Sequence, residues 1–355
     1  MSEGLLAGLD VGAASVSALL MTPEGVEVAR GRAPTHWAGT PTGGETSADS
    51  LVDSALEALD HALAQRPEDR ILAIGVASMA ESGVLTASHR RVLAPVIAAR
   101  DTRDADLLGE LDADLGGDTF SVRTGLPLRP RWTVTKHRWL AEHHPDVAEA
   151  KRWYNVGEWI VKALGGKPGS ELSLTARTGW LDLRTATPYV EALAFSRARP
   201  RILGDPTVAG TPMGRASASS RLAALDGAVL TVAGHDLQVA VLGAGHREPG
   251  EVDSADTAGA LIRTTAAELD DAAVLALTRA GSTVGWHVRR GRWAVLADPG
   301  PNPADLAARG EASARGAALL GGLAAGVYAA YDEMPTATAQ FDDVPTPGSD
   351  AVAGH

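Results

Sequence analysis

Four short stretches of this sequence set charged residues at the ends of apolar runs. "LLAGLDVG" (5–12) carries Asp10, "SMAESG" (78–83) carries Glu81, "ARDTR" (99–103) carries Asp101 and Arg103, and "VAGHDLQVAVLGAG" (232–245) carries His235 and Asp236. Asp10 is followed by Gly12 and other small residues. Its carboxylate can hold a water-coordinated Mg²⁺, a hard cation that prefers oxygen ligands. The backbone N–H groups of the turn can then approach phosphate oxygens without interference from Cβ atoms. The same Asp can equally close a hairpin turn by accepting from nearby N–H groups. Asp236 can take a proton from a substrate hydroxyl as a general base, or cap a helix that starts at 237. His235 and Asp236 together could supply half of a metal site, but no second His/Asp cluster at ligand spacing accompanies them. Glu81, Asp101 and Arg103 can bind substrate hydroxyls by charge-assisted hydrogen bonds; surface salt bridges account for them equally well.

Other chemistries are missing. The sequence has no cysteine, which excludes disulfides, thiolate metal ligands and a thiol nucleophile, and is compatible with a reducing cytoplasm. There is no G-x-x-x-x-G-K-[ST] loop, G-x-G-x-x-G fingerprint, G-x-S-x-G elbow or H-E-x-x-H helix. His137, His143 and His144 read as the solvated face of a polar helix. Any of Trp132, Trp153, Trp159 and Trp180 can floor a sugar site, although core packing is the commoner role of tryptophan. A net charge of −12 with scattered basic residues argues against a nucleic-acid partner. "RRGR" (289–292) is the densest basic group and reads as a hairpin turn. No apolar run approaches the ~18–20 residues of a membrane span, and no signal peptide is visible at "MSEGLLAGLD". A cytoplasmic protein is expected.

The elements that must position these residues follow from patterning. Residues 5–32 read as three strands joined by "GAAS" and "PEG" turns. Residues 49–65 carry Leu51, Ala55, Leu59 and Leu63 on one helical stripe, with Asp49 as the N-cap. "ILAIGVAS" (71–78) is a buried strand. A strand, turn and strand follow it, and 133–165 read as helical, broken at Pro145. "GAVLTVAG" (227–234) starts a new buried strand, and the spacing predicts a domain boundary just before it. Hairpins are expected over 251–265 and 282–297, then one long Ala-rich helix or two over 305–334. The domains expected are therefore 1–226 and 227–334, with a disordered Pro/Gly-rich tail at 335–355. Strands alternating with helices imply an α/β layer structure. "LDVGAASVSAL" is echoed by "VDSADTAGAL", which suggests a duplicated unit facing one cleft. With 39 glycines and only 3 phenylalanines, the core has to be built from Ala, Val and Leu.

The order and spacing of these blocks resemble those of the FGGY-family carbohydrate kinases, the group containing xylulokinase, gluconokinase and glycerol kinase. "LAGLDVGAASVSALLMT" is similar to the opening D-x-G-T-[TS]-x-x-[KR] phosphate hairpin, and "IGVASMAESGVLTASHRRVLAPVIAARDTR" to the block ending W-x-D-x-R. "TGLPLRPRWTVTKHRWLAEHHP" has the G-[LI]-P…K…W-L pattern, and "SLTARTGWLDLRT" resembles the segment closing the sugar site. "VAGHDLQVAVLGAGHREPGEVDSADTAGAL" resembles the G-x-x-D block and the second phosphate hairpin. "EASARGAALLGGLAAGVY" resembles the late A-x-G-A-A-x-x-A helix.

That resemblance implies a two-domain α/β fold of the actin/hexokinase-like (ribonuclease H-like) type, with a central cleft and a truncated second domain. It implies phosphoryl transfer from ATP to a hydroxyl of a small-molecule sugar or polyol, with no nucleic acid and no membrane among the partners; a homodimer stays open. Asp236 would be the base. Asp10 would hold Mg²⁺, directly or through water, and Gly12, Ala13, Ser15 and Thr257 would cradle the phosphates. Ala80, Glu81, Asp101, Arg103, Arg131 and His235 would face the sugar. Glu81 falls where glycerol kinase has a substrate-binding Glu, and Arg131 where it has an aromatic residue. The sequence departs from the pattern at several positions. Ala13 and Ala14 replace hydroxyl residues, Ser17 replaces a basic residue, Ala99 replaces a Trp, and Asp256 stands where the second phosphate turn has Gly. The Gly-rich adenosine-binding segment has no counterpart between "RWAVLADPG" and the last helix. The alternative reading is a degenerate kinase that binds sugar or regulates without efficient ATP turnover.

Overall fold

Strand Leu5–Val11 pairs antiparallel with Ser15–Met21, which pairs in turn with Glu27–Pro34, so the expected meander forms. Ile71–Ser78 runs parallel to the first strand, and Val229–His235 runs parallel to Ile71–Ser78. The five-stranded order is thus 229–235, 71–78, 5–11, 15–21, 27–34. Its central strands are covered on both faces, which explains why they read as continuous apolar runs. The structure is a computed structural model that describes residues 4–217, 222–245, 253–255, 260–265, 268–297 and 303–336.

Helices Ala48–Leu63 and Val156–Ala163 cover one face of this sheet, and Asp236–Gly243 and Pro303–Ala324 cover the other. The scarcity of large side chains has a structural counterpart here. A Cβ on Gly8 would lie 1.7 Å from the Ala314 carbonyl oxygen, and one on Gly75 would lie 1.8 Å from that of Ala317. The long helix therefore rests almost backbone to backbone on the sheet. A second, antiparallel sheet orders 253–255, 260–265, 293–297 and 283–286, so both expected hairpins are present as strand pairs. Helix Asp271–Arg279 packs on it through Val274.

Several expectations are corrected. The strand at 229–235 does not open a separate unit at 227: it is the edge of the first sheet, because its buried side chains pack with those of Ile71–Ser78. Helix Ala48–Leu63 is capped by Ser47, whose Oγ accepts from Ser50 N at 3.0 Å, while Asp49 lies in the first turn. The helix Thr133–His143 does stop before Pro145, but Arg152–Asn155, expected to be helical, is a strand against Gly83–Thr86. Its burial alternates with period two, Trp153 and Asn155 inward, which a short helical window hides. His137 is not solvated; it is 1% exposed, with Nδ1 at 2.9 Å from the Ser196 carbonyl and its ring edge-on to Trp180. The tail expected to be disordered lies, beyond Thr336, outside the described residues. No helix among the described residues is long and apolar enough to cross a membrane.

Candidate active site

A cavity of about 360 Å³ opens over the C-terminal ends of the parallel strands. This is where open α/β sheets bind ligands, because the loops diverge there. Ten of the residues singled out from sequence line it: Asp10, Gly12, Ala13, Ser15, Ala80, Glu81, Asp101, Arg131, His235 and Asp236. Ala99 lines it as well. Arg103 is not among its lining residues. Thr257 and Asp256 lie outside the described residues. The four tryptophans that could have floored a sugar site are all buried in the core, whereas Trp37, which no pattern flags, lines the cavity with Arg100 and Leu237.

Asp10 is the penultimate residue of the first strand and is 4% exposed. Its Oδ1 accepts from Ser313 Oγ at 2.8 Å, a partner 303 residues away that the sequence does not reveal. The carbonyls of the turn after it are engaged. Thr35 Oγ1 donates to Gly12 O at 2.8 Å, Trp37 Nε1 to Ala13 O at 2.7 Å, and Thr35 N to Ala14 O at 3.2 Å. Ser17, where the family pattern has a basic residue, is buried and faces Arg32 across the strand pair. Arg32 Nη2 reaches over to donate to Ser15 Oγ at 3.0 Å, which brings a guanidinium to the turn.

Glu81 follows the 71–78 strand with φ at +63°, a region that costs a non-glycine residue energy and is met most often at functional sites. Its carboxylate is 4% exposed and contacts Arg177 through Nε and Nη2, with Arg131 Nε 3.8 Å away. Burial alone would raise its pKa; the charges of Arg177, Arg131 and His235 hold it down to about 2. Glu81 is therefore an anion throughout the neutral range. Arg177 is anchored on its other side by Thr283 Oγ1, 3.0 Å from Nη1, so the second sheet helps to fix the carboxylate. Arg177 lies inside the "SLTARTGWLDLRT" block, the one signal in the sequence that points toward it.

The helix after the 229–235 strand begins with Asp236 itself, and His235 holds the N-cap position, one residue earlier than the capping alternative requires. Asp236 Oδ1 accepts from Leu237 N at 2.7 Å and lies 3.3 Å from His235 Nε2. Asp101 behaves differently from the expectation. Both its oxygens are occupied by Thr40, Thr42, the Gly44 amide, and the Arg103 backbone and guanidinium, at 2.9–3.0 Å. Arg103 also bonds Glu45 at 3.1 Å. Six bonds saturate the carboxylate, so this pair ties loops together beneath the cavity. Among the described residues no cluster of three or more His, Asp and Glu could hold a metal ion.

Comparison with known proteins bears on the family and the fold. The chain is 28% identical over 301 residues to a xylulose kinase of Streptomyces rubiginosus, covering 83% of this chain and 60% of that protein. It is 24% identical over 196 residues to a gluconokinase of Bacillus licheniformis, covering 54% of this chain and 38% of that one. The crystal structure of the xylulose kinase from Rhodospirillum rubrum superposes with a TM-score of 0.74 at 23% identity, covering 82% of this chain and 60% of that one. The fold is thus the mixed α/β, actin/hexokinase-like one of sugar kinases. The chain spans about 60% of the length of its xylulose kinase relative. Residues 5–243 match the model described as the N-terminal domain of the FGGY family of carbohydrate kinases, so the chain belongs to that family.

Proposed function

We propose that this protein transfers the γ-phosphoryl group of ATP to a hydroxyl of a sugar or polyol. One observation carries the reading: a single cavity is lined by Asp10 and the 12–15 turn on one side and by Glu81, Arg131 and Asp236 on the other. Glu81, charged and rigidly held, would accept hydrogen bonds from substrate hydroxyls, and Trp37 and Leu237 would supply apolar surface. Asp236 would accept the proton of the reacting hydroxyl. The substrate oxygen then bonds the γ-phosphorus as the bond to the departing ADP breaks. The 12–15 turn, whose Gly12, Ala13 and Ala14 carbonyls and Gly12 amide are already engaged, would offer the amides of Ala13 and Ala14 to the phosphates. Arg32 would add positive charge there, in place of a basic residue at position 17.

The donor set fits Mg²⁺. Asp10 is one hard carboxylate ligand beside an open turn, which suits an ion that keeps several waters and takes phosphate oxygens. Mg²⁺ bound with ATP supplies charge neutralisation of the phosphates. Ser313 fixes the Asp10 carboxylate from the long helix.

A second reading is a sugar-binding or regulatory protein without efficient ATP turnover. Ala13, Ala14 and Ser17, which stand where the family pattern has hydroxyl and basic residues, favour it. Calorimetry with Mg·ATP, alone and with a panel of pentoses, hexoses, polyols and aldonic acids, separates the two. Binding of both Mg·ATP and one sugar class supports the kinase; sugar binding with no ATP binding sinks it and leaves the second reading.

A further inference from the structure

We propose that Ser173, held in place by Glu171, is a positioning residue for Asp236; the inference rests on the assignment of Asp236 as the base. The strand that delivers Asp236 is irregular just before it. Its pairing with Ile71–Ser78 shifts register between Val232 and Gly234, and Gly234 takes a φ of +108°. Pairing resumes beyond the shift, Gly234 opposite Ala77 and His235 opposite Ser78, but only on one side of this edge strand. The His235 amide instead donates to Ser173 Oγ at 2.9 Å. A hydroxyl has one proton, and Ser173 spends it on Glu171 Oε2 at 2.6 Å, which leaves its lone pairs turned to the His235 N–H. The same Oε2 accepts from Leu174 N at 3.0 Å, so Glu171 cannot swing away without uncapping its own helix.

The relay continues into the core. The Glu171 amide donates to Glu158 Oε1 at 2.9 Å, and Glu158 closes the capping box of helix Val156–Ala163 through Asn155. Ser173, Glu171 and Glu158 are each at most 1% exposed, so no solvent competes for these bonds. Packing leaves no slack either. A Cβ on Gly234 would lie 2.6 Å from Ser173 Oγ and 2.7 Å from Val288 Cγ1. Beyond Asp236 the helix is clamped by Gln238, whose Nε2 donates to Trp286 O at 3.1 Å and whose Oε1 accepts from Val288 N at 2.9 Å. Asp236 thus sits between two buried clamps that no surface role requires.

The test uses the full chain and two readouts. In Ser173→Ala, amide exchange at His235 should rise about tenfold, the loss of one hydrogen bond. At the same time kcat should fall roughly 10–100-fold, as for a misplaced catalytic group, with KM for the sugar within about threefold. Should Ser173→Ala not fold, Ser173→Cys, whose thiol is only a weak acceptor, takes its place and should raise His235 exchange and lower kcat in the same directions. An unchanged His235 exchange in the folded variant, or a loss that falls on KM and not on kcat, overturns the proposal. If the wild-type chain shows no turnover with any sugar, the kinase reading fails, and the exchange measurement still decides whether Ser173 holds the backbone at His235.

Discussion

The Arg177 guanidinium lies against the Glu81 carboxylate through both Nε and Nη2, although 96 residues separate them in sequence. Both side chains are nearly fully buried, and Thr283 holds the arginine from the second sheet. Removing one partner of such a pair leaves an uncompensated buried charge. Arg177→Met should therefore destabilise the fold by about 3–5 kcal/mol, read by urea denaturation at pH 7. It should also change the acid limb. An unfolded glutamate titrates near 4.5 and native Glu81 near 2, so its stabilisation is complete above 4.5 and lost as the pH falls through 2. In the variant this acid-dependent loss shrinks; an acid limb identical to wild type would contradict the ion-pair account.

Glu171 titrates in the opposite sense. Burial pushes its carboxyl up to about 7, against the bonds from Ser173 and Leu174, and the neighbouring carboxylate Glu158, itself raised to about 6 and facing Arg152, adds to the rise. The native state holds the extra proton between 4.5 and 7, so the stability from this group is full below 4.5 and is lost as the pH rises through 7. Glu171→Gln should flatten the decline of Tm between these values, an effect on the order of 3 kcal/mol. An unaltered Tm profile across that window would show that Glu171 is already ionised in the native state.

The packing of the long helix predicts a contrast between two glycines. Gly75→Ala would drive a methyl group into the Ala317 carbonyl, 1.8 Å from the ideal Cβ, and backbone on both sides cannot yield cheaply. The loss should reach or exceed the upper end of the roughly 1–3 kcal/mol typical of overpacking. Gly109 lies in helix Leu107–Leu115 with nothing within 4 Å of its Cβ position. Gly109→Ala should stabilise by about 0.5–1 kcal/mol. Chemical denaturation of both variants checks the pair, and equal effects would refute the close contact.

Much of this site is legible in the sequence for a physical reason. The strands 5–11 and 71–78 are uninterrupted apolar runs that end in a charged residue or a small-residue turn, so patterning alone sets Asp10 and Glu81 at strand ends. What patterning misses is non-local. The 229–235 run announces a strand but not its partner, and so it falls on the wrong side of a boundary. Asp101 and Arg103 read as ligands because half of the bonds that saturate the carboxylate come from Thr40, Thr42 and Gly44, some 60 residues earlier. Ser313 and Ser173 are ordinary serines until the fold brings them to Asp10 and His235. Trp37 gives no signal, since a lone aromatic after a strand has no period to betray it.

The central claim is that Asp236 takes the proton of the accepting hydroxyl, and it is tested most directly by steady-state formation of ADP and phosphorylated sugar in wild type and Asp236→Asn. The sugar is the one identified by calorimetry, and binding of Mg·ATP and sugar is measured on both proteins. The account predicts a fall in kcat of about 10²–10⁴-fold with both affinities within about threefold of wild type. An Asp236→Asn protein that turns over at the wild-type rate would contradict it.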